Sequence, residues 1–453
     1  MDNTEYNYLH FVGFSNLVNW SVSHLLGMNL GFTHRFPMVT IGSVIERCKT
    51  TIDIDDCTQY KQITLKTSGG GAVLRDVKLG KDIGTKKQYV VSAGQFIMSK
   101  IDARNGAFGI VTEDLDGAIV TADFPVFNVN KDKIIPQYLF LLSSTEAFAR
   151  FAQSCSRGTT NRQRIDIAQF LSQRIPLPPL SEQKTLISAY KAKLEQSNIL
   201  NKHTAQIEKR IELYLRNHIG SYQQAKGQNT KDKSFRFLRF VRYKDINGWD
   251  IYSENIKYDT TYKVVPLGSL ITRIATGTTP PTSQKEYFEG NIKFFTPSDI
   301  TDEMYLGKTD RFISQKAIDD NKARTFKKGD ILFVGIGSTV GKVGIVKDSI
   351  VSSNQQITGF TLNIEMILRE YAFYFMSYNK NITTKEQTKT TLPIVNQSKI
   401  INIPIPLPPI KAQKSIVEYI NKQKDQIKQL KQQAELLKET ALAEFEEIIF
   451  EYE

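Results

Sequence analysis

The sequence predicts an α+β chain in which two β-rich globular units are separated by an antiparallel pair of long heptad helices, the whole forming a pseudo-two-fold internal repeat. Three observations carry this expectation. A proline-rich pentad occurs twice at an offset of 230, as Pro176-Leu177-Pro178-Pro179-Leu180 and as Pro406-Leu407-Pro408-Pro409-Ile410. Each copy precedes a long run in which seam positions fall alternately four and three residues apart. Short glycine-bounded apolar strings also recur ahead of both pentads.

Residues 1–175 make the first unit, with a lead-in over 1–38. Its strand signals are short β-branched or aromatic runs ended by glycine. Gly94-Gln95-Phe96-Ile97-Met98 answers Gly329-Asp330-Ile331-Leu332-Phe333, and Gly109-Ile110-Val111 answers Gly344-Ile345-Val346, both at an offset of 235. Ile119-Val120-Thr121 matches Ile350-Val351-Ser352, and Tyr138-Leu139-Phe140 matches Tyr371-Ala372-Phe373. Val39-Thr40-Ile41-Gly42-Ser43 matches Val265-Pro266-Leu267-Gly268-Ser269, and Asn19-Trp20 matches Gly248-Trp249. Offsets that drift in this way mean loops of different length on one frame.

The prolines of each pentad stop whatever precedes them and lead rigidly into a helix, with Ser181 placed to cap the first. Residues 176–218 hold the first helix, over 181–218, and residues 406–453 hold the second, over 411–450. The first seam runs Leu186, Tyr190, Lys193, Ser197, Leu200, Thr204, Ile207, Ile211, Tyr214. Adding 230 gives Ile416, Ile420, Gln423, Ile427, Leu430, Ala434, Leu437, Ala441, Glu444. Two such seams are buried most simply by antiparallel pairing, which would place one globule at each end and return the C-terminus near Met1. A polar linker over 219–235 joins the repeats, and the second unit occupies 236–405 with a lead-in over 236–264. Where linker and lead-in meet, Phe235 to Arg242 alternates aromatic and basic residues. It reads either as an edge strand with one solvated face or as a surface lying along phosphates.

Composition narrows the function. The 453 residues are 40% hydrophobic and 23% charged, values of a folded globular chain rather than a disordered one. A net charge of +12 favours a polyanionic partner. Cys48, Cys57 and Cys155 form no CxxC pair, which argues against a disulfide framework or a structural zinc site. With neither a signal peptide nor a membrane span in the sequence, the expected location is the cytoplasm.

Catalytic signatures are missing. None of the proline pairs Pro178-Pro179, Pro280-Pro281 and Pro408-Pro409 fits an amino-methyltransferase motif. The glycine-rich run Gly335 to Val343 has three residues between Gly337 and Gly341-Lys342 where a phosphate loop needs four, and reads instead as a turn between strands. A nuclease pattern can be forced from Asp299 with Asp320-Asn321-Lys322, or from Asp166 with Glu182-Gln183-Lys184, and two accidental fits show its weakness. The histidines have no ligand spacing, and no metal site or cofactor is expected in this chain.

Side chains suited to base edges and phosphates do gather in loops. In the first unit they are Lys100, Arg104 and Asn105, then Arg157, Thr159, Thr160, Asn161, Arg162, Gln163 and Arg164. In the second they are Thr276, Thr278, Thr279, Lys293, Ser298, Asp299, Ser338, Thr339, Lys342, Asn354, Gln355, Gln356, Lys389, Thr390 and Thr391. Each loop alone reads as ordinary solvated surface; their recurrence at matched places favours the nucleic-acid reading.

On these residues the sequence resembles the specificity subunits of type I restriction–modification systems. The resemblance covers nearly the whole chain and rests on four marks. They are Pro-Leu-Pro-Pro-Leu-Ser-Glu-Gln at 176–183, its repeat at 406–413, Ser-x-Gly-Thr-Thr at 156–160 and Gly-Asp-Ile-Leu-Phe at 329–333. Lys411-Ala412-Gln413 stands where the first copy has Ser181-Glu182-Gln183. The resemblance implies two target recognition domains, each reading half of a split sequence on double-stranded DNA. It also implies a helix pair on which methyltransferase subunits dock, two of them being expected, with Leu186, Tyr190, Leu200, Ile207, Ile211, Ile416, Ile420, Ile427, Leu430 and Leu437 marking the helix seam and docking frame. S-adenosylmethionine would belong to those partners, and ATP and magnesium to accompanying restriction subunits; this chain would carry no catalysis. A long lead-in before Val39 leaves open a specificity subunit of a type II bifunctional restriction–methylation complex. A coiled-coil scaffold without DNA readout is the other open alternative.

Overall fold

A computed structural model describes residues 32–67, 69–157, 164–223, 257–384 and 393–451. The chain forms two compact units, one of Met1–Asn201 with Lys431–Glu453 and one of Lys202–Leu430. The boundaries fall inside the two long helices, so each unit owns a segment of both.

In the first unit, strand Met38–Thr40 pairs antiparallel with Arg174–Pro176, so that the globule begins and ends on one ribbon. Behind it lies a four-stranded sheet ordered Ile45–Cys48, Val126–Val129, Phe96–Met98, Phe108–Ile110, antiparallel throughout. A second sheet is ordered Thr51–Asp53, Lys87–Val90, Ile119–Val120, Gln59–Lys66, Gly71–Leu79, with one parallel pair between Gln59–Lys66 and Ile119–Val120. Helices Pro136–Ser143, Glu146–Ser154 and Ile167–Ser172 cover the first sheet. Phe96, Phe108, Phe127, Phe148 and Phe170 are fully buried among them, each burial contributing about 1.5–3 kcal/mol.

The second unit repeats this frame. Val264–Pro266 pairs with Pro404–Pro406. Its four-stranded sheet runs Ile271–Thr276, Ile357–Leu362, Ile331–Val334, Val343–Ile345, again all antiparallel. Its second sheet, ordered Thr325–Lys327, Ile350–Ser353, Ile292–Phe295, Phe312–Ile313, keeps one parallel pair at the equivalent place. Helices Arg369–Tyr378 and Gln397–Ile401 stand where the first unit has Pro136–Ser143 and Ile167–Ser172. The glycine-rich run 335–343 is the turn between two antiparallel strands, as its sequence suggests.

The long helices span Leu180–Ile219 and Ile410–Ile449, 40 residues each, or about 60 Å. They pair antiparallel within both units. In the first unit the Ser197 hydroxyl donates to the Ala434 carbonyl at 2.7 Å, and Lys193 pairs with Glu444. In the second unit Lys424 reaches the Glu208 carboxylate at 3.1 Å, and Tyr214 stacks on Tyr419 with ring centres 3.8 Å apart. Leu186, Ser197, Thr204, Ile207, Ile211, Ile416, Ile420, Ile427, Ala434 and Ala441 are buried, and Tyr190, Leu200, Leu430 and Leu437 are half-buried.

Two expectations need correction. The seam holds at Tyr214, which meets Tyr419 on the other helix, but not at Glu444: Glu444 is exposed, and burial continues through Phe445 and Ile449, as it does beyond Tyr214 through Leu215 and Ile219. Consecutive steps of four advance about 40° beyond each full turn, so the apolar stripe swings off the partner helix and into the globular core. The polar segment after 219 is also not all linker. Gly220, at φ 93°, turns the chain out of the helix, where a Cβ would sit 2.3 Å from the Asp259 carbonyl oxygen. Ser221–Gln223 then pairs with Lys257–Asp259. The aromatic–basic run Phe235 to Arg242 lies outside the described residues, as does Met1. The second long helix does end against residues 32 and 33, where Phe32 bridges Phe450 and the Thr33 amide donates to the Ile449 carbonyl at 2.9 Å.

Candidate nucleic-acid interface

In the second unit, loop residues far apart in sequence converge on one cleft of about 280 Å³. Its walls are Thr276 at the end of a strand, Gln355, Gln356 and Thr358 at the start of another, Gly335 and Ile336, and the segment Ile394 to Ser398. The polar groups form a fixed mesh. Gln397 Nε2 donates to Thr276 Oγ1 at 2.8 Å, and Thr276 also meets Thr358 at 3.0 Å. Thr279 donates to Gln355 Oε1 at 2.6 Å, and Asn354 Nδ2 donates to Gln356 Oε1 at 3.0 Å. Both glutamine carbonyls are thereby held, and the Nε2 donors of Gln355 and Gln356 have no protein partner among the described residues. Amides held by one end and open at the other suit recognition of flat heterocycles with paired donors and acceptors.

Neighbouring candidates flank this cleft. Thr278 accepts from the Arg324 amide at 2.9 Å. The turn carrying Ser338, Thr339 and Lys342 is tied to the same wall, the Gly337 amide donating to the Pro393 carbonyl at 3.2 Å. Lys293, Ser298 and Asp299 sit elsewhere. Lys293 donates to the Gly307 carbonyl at 3.1 Å and to Asp348 at 3.0 Å. Asp299 closes a capping box on Thr296 and pairs with Arg311 at 3.3 Å. Those groups hold loop shape. Sequence reasoning missed Asn396, Gln397 and Ser398, because a short amide–hydroxyl run looks like any helix cap; Asn396 does cap Gln397–Ile401 by accepting from Lys399. Lys389, Thr390 and Thr391 lie outside the described residues.

The first unit presents a different arrangement. Ser156–Arg157 and Arg164–Ile165 form a two-stranded antiparallel ribbon. Thr159, Thr160, Asn161, Arg162 and Gln163 lie outside the described residues. The base of the ribbon is anchored: the Ile165 amide donates to the Lys100 carbonyl at 2.9 Å, and the Lys100 amide to Asp123 at 2.8 Å. The Arg164 guanidinium, mostly exposed, meets the Asp123 carboxylate at 3.2 Å. Such an exposed pair is worth at most about 1 kcal/mol, so a phosphate can displace the carboxylate. Arg104 and Asn105 lie on the turn Ala103–Asn105, one step along the same segment as Lys100.

The seam residues are largely covered by the chain itself. Large apolar side chains left open on the long helices are Ile199, Leu213 and Leu436, each more than half exposed. Among the described residues there is no group of three or more His, Cys, Asp or Glu able to hold a metal ion, and no helix long and apolar enough to cross a membrane. The perturbed tyrosines are structural. Burial, and next the nearby Glu208, pushes the Tyr378 hydroxyl well above its ordinary range while it donates to that carboxylate at 2.9 Å.

The family model described as type I restriction modification DNA specificity domain matches residues 38–209 and 260–439. The type I restriction enzyme MjaIX specificity subunit of Methanocaldococcus jannaschii is 28% identical over 223 residues, which is 45% of this chain and 50% of that protein. The putative type I restriction enzyme MjaX specificity subunit of the same organism is 25% identical over 323 residues, 67% of each chain. The chain thus spans about half to two thirds of the length of these curated relatives. A solved chain from work on complex assembly and conformational transition of the type I R-M system shares the fold at a TM-score of 0.56 and 21% identity, covering 93% of this chain and 99% of that one. With one copy of the matched domain in each half, this chain belongs to the specificity-subunit family of type I restriction–modification systems.

Proposed function

We propose that the chain reads a two-part sequence on double-stranded DNA, one part through each unit, and performs no chemistry itself. The observation that carries this reading is a frame built twice that supports unlike polar surfaces: a basic ribbon in one unit and an amide-lined cleft in the other. The net charge of +12 supplies sequence-independent attraction to phosphates, with Lys100, Arg104 and Arg164 setting register. The amides of Gln355, Gln356 and Gln397 would then discriminate base edges.

The helix pair is read as the docking frame for methyltransferase subunits, with Ile199, Leu213 and Leu436 offering apolar contacts in the manner of helix faces in grooves. Those partners would bring S-adenosylmethionine, and restriction subunits, where present, ATP and magnesium. The helix length would set the unread distance between the half-sites. Methylome sequencing of cells expressing this chain with its methyltransferase partner tests the reading: a split motif is expected, and a single continuous motif would sink it. Inserting seven residues into both helices adds about 10 Å, so the unread spacer should grow by about 3 base pairs.

A further inference from the structure

A ruler transmits its length only if each reader is fixed in angle to it, and the structure holds a device with that property, built twice. Gln183, in the first turn of the first long helix, is fully buried. Its Oε1 accepts from the Ile135 amide at 2.8 Å, and its Nε2 donates to the Lys133 carbonyl at 3.2 Å and to the Pro178 carbonyl at 2.8 Å. Gln413 on the second helix is equally buried and repeats the pattern. Its Oε1 accepts from the Leu368 amide at 2.8 Å, and its Nε2 donates to the Met366 carbonyl at 3.1 Å and to the Pro408 carbonyl at 2.8 Å. A second tether lies beside each. Tyr138 donates to the Pro176 carbonyl at 2.9 Å, and Tyr371 to the Pro406 carbonyl at 2.7 Å.

All three hydrogen-bond partners of each glutamine are backbone atoms. The globular residues supplying them differ between the units, Lys133 and Ile135 against Met366 and Leu368, yet the bonds agree to within 0.1 Å. Apolar packing holds a helix against a core but tolerates sliding and rotation, whereas three directional bonds from one planar amide leave a single angle. The glutamine joins the pentad and the long-helix start to the loop leading into the first helix on the sheet, Pro136–Ser143 or Arg369–Tyr378, and the tyrosine joins that helix itself to the pentad.

We infer that Gln183 and Gln413, backed by Tyr138 and Tyr371, are positioning residues that clamp each reading unit to its long helix at one angle, and so hold the spacing between the two half-sites to one value. This rests on the two-part reading proposed above. The test is the spacer distribution in the methylome of cells carrying the full chain with its partner subunits. Gln183→Met and Gln413→Met, alone and together, keep volume and remove the bonds. Methylation at spacers one base pair shorter and longer, relative to the native spacer, should rise at least about 10-fold in the double variant. Native spacing retained at lower overall methylation would overturn the clamp, because loss of stability alone reduces occupancy without broadening it. If the methionine variants do not fold, Tyr138→Phe with Tyr371→Phe keeps the rings and removes only the outer tethers; it should broaden spacing in the same direction, and an unchanged spacer there overturns the proposal. A wild-type motif without a spacer would fell the two-part reading and the clamp together, whereas a split wild-type motif with unmoved variants fells the clamp alone.

Discussion

The two units differ least in their four-stranded sheets and most at the hairpin beyond them. Strand for strand, Ile45–Cys48, Val126–Val129, Phe96–Met98 and Phe108–Ile110 find equivalents in Ile271–Thr276, Ile357–Leu362, Ile331–Val334 and Val343–Ile345. In the second sheets the order of pairing survives but length does not. Gln59–Lys66 and Gly71–Leu79 form a hairpin of 8 and 9 residues, whereas Ile292–Phe295 and Phe312–Ile313 have 4 and 2, with residues 296–311 between them. The first sheet is buried on the long-helix side, where any change of side chain leaves a cavity or a clash. The hairpins are constrained on one face only: Tyr60, Ile63 and Leu65, and Ile292, Phe294 and Ile313, pack inward, while residues between them are more open. Divergence in strand length has therefore collected on the more open hairpins, whereas the polar groups suited to recognition lie apart from them, on the ribbon Ser156–Arg157 with Arg164–Ile165 and in the cleft lined by Gln355, Gln356 and Gln397.

The largest expected effect tests whether the frames are equivalent. Phe127 and Phe360 occupy matching positions and are both essentially inaccessible. Phe127→Ala and Phe360→Ala should each destabilise their own unit by about 3–5 kcal/mol, measured by denaturant unfolding with a probe in each unit; a large inequality would break the equivalence. Next come the unlike surfaces. Gln356→Ala with Gln397→Ala should relax one half-site by about 1–3 kcal/mol, or about 5- to 150-fold, and leave the other untouched. Competition binding with half-site variants decides this, and equal loss at both halves would contradict it. Lys100→Ala and Arg164→Ala should instead weaken binding to all sequences alike and lower the salt dependence by about 1 per lost phosphate contact. An unchanged salt slope would remove these residues from the phosphate path.

The smallest effect concerns alkaline pH. Burial raises the hydroxyls of Tyr374 and Tyr378 in the second unit, where the first has Leu141 and Thr145 at the corresponding places. A folded-state pKa above the unfolded value of about 10 means their contribution is complete below that pH and lost as pH rises beyond it. The second unit should weaken above about pH 10, and Tyr378→Phe should flatten that decline at some cost in stability near neutrality. A slope unchanged in the variant, from unfolding midpoints between about pH 9 and 11, would refute the assignment.

Much of this architecture was legible because the repeat exposes it: a pentad that must start a helix, and apolar positions whose spacing must face a partner, appear twice at one offset. The bounds 181–218 and 411–450 differ from the observed helices by a single residue at each end. What escaped was set by three dimensions. Ser221-Tyr222-Gln223 is too short for its single polar–aromatic–polar alternation to establish a period, so its pairing with Lys257–Asp259 left no usable signal. Glu444 fell on the extrapolated seam because a heptad count assumes one partner throughout, whereas the end of that helix faces a globule. The cleft drew Thr276, Gln355 and Gln356 into the candidate set one by one, but their joining with Gln397 depends on a contact across 121 residues.

The junctions at the ends of the long helices carry a further consequence. The first helix leaves Ile219 and its chain pairs with Lys257–Asp259, just ahead of the second globule. The second helix leaves Ile449 and its chain bridges Phe32, just ahead of the first. Each helix thus hands over to the segment ahead of a globule by a backbone stitch, a three-pair ladder after Ile219 and a single bridge after Ile449. A circularly permuted chain, joined by a short connector from 451 to 32 and opened between 223 and 257, would keep every stitch described here while exchanging the order in which the two units leave the ribosome.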